Sequence, residues 1–200
     1  MSISRRTLIA GLSGVALSAI AQPAMAVSKQ AARSHIETTV REIVAILNKA
    51  AGGPVGAPAL RKVMARRSNM ARIAQFCAGR AWRDMNAGQR RRYIDAFAHY
   101  ISVTYARRFN DFSGTPEITV GRIVDAGSKG VLVASPIAMP NGKRYGVEWL
   151  VSDRSGTVEI VDLVIERISL AATQRDEIGA MLDKRGGNID ALIKTLASTK

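Results

Sequence analysis

The sequence predicts a single α+β domain, in which a curved antiparallel sheet of about four strands packs with N-terminal and C-terminal helices. Three observations predict this class. Apolar residues recur at helical spacing through the first half of the chain, segments rich in Val and Ile follow residue 114, and helical spacing returns after residue 173. Helices and strands that are segregated along a chain in this way are typical of α+β domains.

Residues 1–26, "MSISRRTLIAGLSGVALSAIAQPAMA", have the layout of a bacterial export signal. A basic start (Arg5 and Arg6) precedes an uncharged stretch and a small-residue end at Ala24-Met25-Ala26. The paired arginines also fit the twin-arginine pattern, which implies export in a folded state. Residues 27–200 are then expected to form one domain in the periplasm.

The composition indicates a globular and strongly basic protein. The 200 residues are 47% hydrophobic and 22% charged, with a formal net charge of +13. Such a charge favours an acidic partner, and export excludes cytoplasmic nucleic acid. The single cysteine, Cys77, excludes an intramolecular disulfide and is expected to be a small buried apolar residue.

Two helical regions are expected before residue 83. Residues 31–49 place Ile36, Val40, Ile43 and Leu47 on one helix face. The segment "AGGPVGAPA" (residues 51–59) is predicted to be a loop because Gly and Pro oppose continued helix. A second helical region covers residues 58–82, with Asn69 able to cap a new start inside it.

The arginine-rich segment "GQRRRYIDAFAHYISVTYARRF" (residues 88–109) is predicted to be a long helix, preceded by a capping box at Asn86 and Gln89. Its apolar face carries Ile94, Phe97, Ala98, Ile101 and Tyr105, with Tyr93, Tyr100 and Thr104 at the edge. Most of its arginines lie on the other side, whereas binding of single-stranded nucleic acid needs rings and cations on one surface. The arginines are therefore expected to meet an anionic membrane surface or an acidic protein in preference to nucleic acid.

The strands are predicted in "EITVGRIVDAG", "GVLVASPIAM", "RYGVEWLVSD" and "VEIVDLVIERISL", as an antiparallel meander. Asn141-Gly142 and the segment 153–156 are expected turns. Two short helices, over residues 174–184 and from Asn188 onward, close the chain. A sheet with helices on one side can curl into an NTF2-like cone, whose apolar interior is either core or a ligand cavity.

Catalytic and metal chemistry finds little support in the sequence. His35 and His99 stand alone, without Cys or carboxylate groups at ligand spacing, so neither a metal nor a cofactor is expected. No phosphate loop or nucleophile motif is present. Asp162 is the one alternative: a buried Asp in a cone-shaped fold could act as general base on a small apolar substrate. The competing interpretation is that Asp162 pairs with an Arg or caps a backbone amide.

Residues 71–197 resemble the periplasmic phospholipid-binding proteins of the Mla pathway, also called toluene-tolerance proteins. The resemblance is carried by "FCAGRAWRDMNAGQRRRYIDAFAHYISVTYARRF", by "VEIVDLVIERISL" and by "QRDEIGAMLDKRGGNIDALIKTL". Two features depart from the family pattern. Arg167 stands where the family usually has Gly, and the aromatic residue common before the Asp motif is replaced in "TVEIVD". These departures suggest a divergent branch, associated with hopanoid or another lipid pathway.

The resemblance implies a carrier that binds phospholipid acyl chains and catalyses no reaction. Such a carrier shuttles lipid between an inner-membrane ABC transporter complex and an outer-membrane lipoprotein–porin complex, which maintains outer-membrane lipid asymmetry. The residues predicted to bind lipid are Phe97, Tyr100, Ile101, Tyr105, Val131, Val133, Arg144, Val147, Trp149 and Val161. Tyr100 and Arg144 are predicted at the cavity mouth. A basic nucleic-acid-binding module is the third, disfavoured alternative.

Overall fold

The computed structural model describes residues 27–50, 55–110 and 115–200. Its architecture is α+β, as predicted, with helices before and after two antiparallel sheets. The predicted export signal and the first four residues of the predicted loop 51–59 lie outside the described residues.

The helices of the described part begin and end close to the predicted positions. They are α1 (Lys29–Ala50), α2 (Ala57–Arg67), α3 (Met70–Ala78), α4 (Ala81–Asp84), α5 (Ala87–Asn110), α6 (Leu170–Asp183) and α7 (Ile189–Ala197). Two predicted caps are confirmed. The side chain of Asn69 accepts a hydrogen bond from Arg72 N, and Asn86 and Gln89 each accept one from the other's backbone amide.

The strands form two sheets instead of one meander of four strands. They are β1 (Glu117–Ile118), β2 (Ile123–Asp125), β3 (Val131–Ala134), β4 (Ile137–Ala138), β5 (Arg144–Tyr145), β6 (Val147–Ser152), β7 (Glu159–Ile165) and β8 (Ile168–Ser169). The larger sheet has the order β2-β3-β6-β7-β8 and the smaller one β1-β4-β5, with every pair antiparallel.

Two breaks in the predicted strands create the second sheet. Pro136 interrupts "GVLVASPIAM" between β3 and β4, and Gly146 interrupts "RYGVEWLVSD" between β5 and β6. Proline lacks the N–H that a continuous ladder needs, and glycine tolerates a sharp bend. The breaks lie close together, since Ser135 N donates to Val147 O at 2.7 Å. Beyond this corner the chain leaves the larger sheet to pair with β1.

The turn between β7 and β8 consists of Glu166 and Arg167, both with positive φ (49° and 68°). Left-handed backbone at both central positions is the geometry of a two-residue β-hairpin and normally favours Asn or Gly. The turn therefore has this geometry even though Arg167 stands where the family pattern usually has Gly. Glu166 also holds the neighbouring corner, because its carboxylate accepts a hydrogen bond from Gly146 N.

The core has two parts that meet between the helices and the larger sheet. One is helical and is centred on α5, which packs against α2 and α3 as well as α7. The other lies between α1 and the inner face of the larger sheet. Because α5 is enclosed on several sides, Tyr93 and Tyr100, predicted at the edge of its apolar face, are both buried.

Two arginines of α5 bind other parts of the same chain. Arg90 donates to Trp82 O and lies over the Trp82 ring at 5.1 Å, and Arg92 pairs with Asp190 on α7 at 2.6 Å. These two side chains hold helices together and are not free for the external anions that we expected the arginines to meet. In the described ranges, no helix combines the length and the apolar character needed to cross a membrane.

Candidate functional site

The candidate site is a pair of adjoining apolar cavities between the helices and the inner face of the larger sheet. The inner chamber has a volume of about 150 Å³ and lies between α1, α2, α3, α5, α6 and the sheet. The outer chamber has a volume of about 310 Å³ and lies between the end of α5, α1 and both sheets. Four residues line both chambers: Ile43, Tyr105, Trp149 and Leu163. The two spaces are therefore neighbouring parts of one apolar interior.

Regular spacing in the sequence builds the helical walls of these chambers. On α1, Thr39, Ile43 and Leu47 recur every four residues, which keeps them on one helix face. On α5, Phe97, Ile101 and Tyr105 follow the same rule. Each of the two helices thus contributes one stripe of side chains to the chamber walls.

The wall contributed by the sheet follows the cross-strand pairing. Trp149 pairs with Leu163 and Val147 with Ile165, so these four side chains share the inner face. The register shifts between Leu150 and Val151, which pair with Asp162 and Ile160 respectively.

Val161 is the extra residue at this bulge, and this corrects its predicted position. Ile160 and Asp162 pair with two adjacent residues of β6, so Val161, which lies between them, has no partner on that strand. Ile160 faces the inner chamber instead of Val161. Alternation along β7 is disturbed at this point, which a period-two pattern does not anticipate.

Of the ten residues predicted to bind lipid, five line the chambers: Phe97, Ile101, Tyr105, Val147 and Trp149. Val131 and Val133 face inward as well, but they pack in the core with residues of α1, such as Ile36 and Val40, and do not reach either chamber. Contact of any of these side chains with lipid stays a prediction.

The two residues predicted at the cavity mouth lie elsewhere. Tyr100 is buried between helices, and its hydroxyl donates to Glu177 Oε2 at 3.1 Å. Burial, reinforced by the Glu177 charge, raises the pKa of Tyr100 to about 12. Arg144 is exposed on the short strand β5 and lines neither chamber.

The arginine at the outer chamber is Arg108, which the sequence analysis did not single out. Arg108 is exposed, and its guanidinium carbon lies 5.2 Å from the centre of the Tyr105 ring. Its spacing of three residues from Tyr105 places both on the same side of α5, which is the signal that could have identified it. One cation therefore stands where this apolar interior approaches the surface.

Several polar atoms of residues in the inner wall have no hydrogen-bond partner among the described residues. They include Trp149 Nε1, Arg67 Nε and Gln174 Oε1. Burial of such groups without a partner costs free energy, so these atoms mark a wall that is not purely hydrocarbon in character. A ligand that carries ester or hydroxyl oxygens beside its apolar chains is compatible with such a wall.

Tyr105 lies beside Gln174 in this wall. Burial raises the pKa of the Tyr105 phenol, while the nearby Arg108 charge and the Gln174 side chain oppose the rise. Neither the Tyr105 hydroxyl nor Gln174 Oε1 forms a hydrogen bond within the described residues.

Asp162 is held by hydrogen bonds in the inner wall. Its Oδ1 accepts from Leu163 N at 2.8 Å and from Ala171 N at 3.0 Å, and its Oδ2 accepts from Ser169 Oγ at 2.6 Å. Ala171 belongs to the first turn of α6, where a carboxylate satisfies free amides and complements the helix dipole. This arrangement favours the capping interpretation of Asp162 over the general-base interpretation.

Cys77 is buried beside this wall, as predicted, and burial raises the pKa of its thiol to about 12. A thiol with such a pKa is a poor nucleophile. The described residues contain no group of three or more His, Cys, Asp or Glu side chains that could hold a metal ion.

Comparison with known proteins identifies the family and the fold. The sequence profile of the family described as "MlaC protein" matches residues 26–198. Among solved structures, the chain is similar to the phospholipid-binding protein from Ralstonia solanacearum, determined in complex with a phospholipid. The TM-score is 0.68 at 20% sequence identity, over 82% of this chain and 94% of the Ralstonia chain. No protein of curated function matches the sequence.

Proposed function

The chain belongs to the MlaC protein family, and we propose that it is a phospholipid carrier that holds acyl chains in the two chambers and works in the periplasm. The observation that carries this proposal is the apolar interior shared by α1, α5 and the larger sheet. The similar fold of the Ralstonia protein, which was solved with a phospholipid, supports it.

The physical need for such a carrier follows from the hydrophobic effect. Exposure of two acyl chains with roughly 30 methylene groups costs on the order of 20 kcal/mol in water, at about 0.8 kcal/mol per methylene. An apolar interior removes this cost during passage through an aqueous compartment. The outer chamber falls at the lower end of the range of about 300 to 1,000 Å³ that ligand pockets usually span, so longer chains require both chambers.

The orientation of the lipid follows from the charges. Arg108 is the cation beside the outer chamber, whereas Arg67 in the inner wall is already paired with Glu42. A lipid phosphate therefore fits at the outer end, and the chains extend toward the inner chamber. The shuttling partners are the inner-membrane ABC transporter complex and the outer-membrane lipoprotein–porin complex expected from the sequence resemblance. No step of this function makes or breaks a covalent bond.

The first experiment is organic extraction of the purified protein, followed by mass spectrometry of the extract. Near-stoichiometric phospholipid is the expected result, and the spectrum identifies the phospholipid class. The same spectrum would reveal a hopanoid bound in its place. A folded, monodisperse sample that yields no lipid, and that takes none up from added phospholipid, contradicts the proposal.

The variant Leu163→Trp tests the chambers themselves. Leu163 lines both chambers, so a larger side chain there is expected to displace acyl chains and to reduce the extracted lipid at least several-fold. The matched control is Val164→Trp, because successive strand residues point to opposite faces and Val164 pairs with Glu148 on the outer one. Equal lipid content in the two variants would show that the chambers are not the binding site.

A further inference from the structure

A second concave surface lies on the outer side of α3, α4 and α6, away from the chambers. It has a volume of about 660 Å³, and we call it the arginine groove. Its principal residues are four arginines and two aromatic residues: Arg72, Phe76, Arg80, Trp82, Arg83 and Arg175. The site described above uses none of them.

The four guanidinium groups of the arginine groove are exposed, and none forms an ion pair or hydrogen bond within the described residues. Arg61, Arg66, Arg67 and Arg92 elsewhere are paired with carboxylates. No carboxylate lines the groove. Positive charge is therefore concentrated here without internal neutralisation, which favours an external anion.

An aromatic ring lies among these charges. Phe76 is 45% exposed, unusual for so large an apolar side chain, and the Arg175 guanidinium lies 5.1 Å from the centre of its ring. Gly79 makes room for this arrangement, because a Cβ at Gly79 would lie 3.3 Å from Arg175 Nε. Cations beside an exposed ring fit the interface of a bilayer, where phosphates and apolar chains occur at adjacent depths.

The elements that form the groove also wall the inner chamber. On α3, Met70 and Ile73 line the chamber while Arg72 and Phe76 line the groove. On α6, Gln174 lines the chamber while Arg175 lines the groove. A surface bound at the groove is thus separated from the chamber by one layer of helix.

We propose that the arginine groove docks the protein onto the surface of a bilayer that contains anionic phospholipid. The preference for a lipid surface over an acidic protein rests on the proposed carrier function. The arginines bind lipid phosphates, and the Phe76 ring enters the region between headgroups and chains.

The test is flotation of the full protein with vesicles of phosphatidylcholine, with and without phosphatidylglycerol. The groove variant combines Arg72→Gln, Arg80→Gln and Arg83→Gln. The control combines Arg107→Gln, Lys129→Gln and Arg154→Gln, which removes equal charge from exposed positions outside the groove. At about 1 kcal/mol for each basic residue at an anionic surface, the groove variant is expected to lose affinity for the anionic vesicles about a hundredfold.

The control variant is expected to lose affinity only a few-fold, and Phe76→Ala is expected to weaken binding without any change in charge. Equal losses in the two charge variants, or no binding of the unmodified protein, would overturn the proposal. So would groove-dependent binding of polyglutamate without binding of vesicles, which would indicate an acidic protein partner.

Lipid extraction from the same preparations separates this inference from the proposed function. Protein that contains lipid but does not bind anionic vesicles contradicts only the docking surface. Lipid-free protein that still binds them through the groove contradicts only the carrier. Because all three groove positions are exposed, thermal unfolding is expected to show no loss of fold in the variants.

Discussion

Tyr93 and Tyr100 lie two helical turns apart on α5, and both side chains are buried. The hydroxyl of Tyr100 donates to Glu177, but the hydroxyl of Tyr93 has no partner among the described residues. Burial raises the pKa of both phenols, so both are protonated at neutral pH. The two tyrosines therefore offer a matched comparison of a satisfied and an unsatisfied buried hydroxyl.

We expect Tyr93→Phe and Tyr100→Phe to change stability in opposite directions. Loss of the unsatisfied hydroxyl is expected to raise the free energy of unfolding by up to about 1 kcal/mol, and loss of the hydrogen bond to Glu177 to lower it by about 1 to 2 kcal/mol. Urea unfolding at neutral pH measures both. Changes of the same sign would mean that Tyr93 has a partner in solution.

At the residue scale, the sequence identified the chamber side chains of α5 better than those of the sheet. Phe97, Ile101 and Tyr105 follow from helical spacing alone, because one helix face is fixed by the period of 3.6 residues. The orientation of Val161 could not be predicted in this way, since a single bulge shifts the residues beyond it relative to a period of two. Val133 packs in the core and Trp149 lines the chambers. This difference depends on how far α1 covers the sheet, which no local sequence pattern encodes.

At the scale of elements, the link between α1 and the end of α2 is ionic. Glu42 on α1 pairs with Arg67 and, at 2.8 Å, with Arg66. The hydrogen bond from Arg67, followed by the one from Arg66, holds the pKa of Glu42 below its usual value of 4.5. Arg67 also lines the inner chamber. The ion pairs therefore fix one wall of that chamber.

The stability that Glu42 contributes is expected to depend on pH. Because its pKa is lower in the folded protein, the contribution is present above the unfolded pKa and is lost as pH falls through the folded pKa. Glu42→Gln is expected to lower the free energy of unfolding by about 1 kcal/mol at neutral pH, since ion pairs near the protein surface are rarely worth more. The difference from the unmodified protein is expected to shrink as the pH falls below 4.5 and through the lowered pKa of the folded state.

The control on the same helix is Glu37→Gln, which removes an exposed pair with Arg33 at 3.8 Å. It is expected to change the free energy of unfolding little at neutral pH. A constant effect of Glu42→Gln from neutral to acid pH would show that packing, and not charge, links α1 to α2.

The elements themselves were largely predictable, because caps and turns carry local signals. Asn69 and the pair Asn86 and Gln89 begin helices as expected, and Gly142 and Gly156 have the positive φ of the predicted turns. The division into two sheets was not predicted. It depends on Pro136 and Gly146 meeting at one corner, and that meeting is a tertiary event.

At the scale of the whole molecule, the two parts of the core meet around the chambers, so bound lipid is expected to stabilise both. We expect saturating phospholipid to raise the Tm of the delipidated protein by about 5 to 10 °C. This follows from about 2.7 kcal/mol at a hundredfold excess over Kd, and from about 2 to 4 °C per kcal/mol for a domain of this size.

Scanning calorimetry of delipidated and reloaded protein measures this shift. The variant Leu163→Trp serves as the control, because its larger side chain is expected to displace acyl chains, so lipid is expected to raise its Tm much less. An unchanged Tm in the unmodified protein would mean that lipid binds the native and the unfolded chain equally or not at all.

The wall of the inner chamber begins at Thr39 on α1 and ends at Gln174 on α6, so it combines elements that lie far apart in the sequence. Helices α1, α2, α3 and α5 are synthesised before the sheet, whereas α6, which closes the wall, is synthesised after it. A growing chain therefore possesses the apolar stripes of α1 and α5 well before it possesses the surfaces that cover them. Until the strands are added, these stripes are in contact with water, and this exposure has a free-energy cost that only the later sheet and α6 can remove.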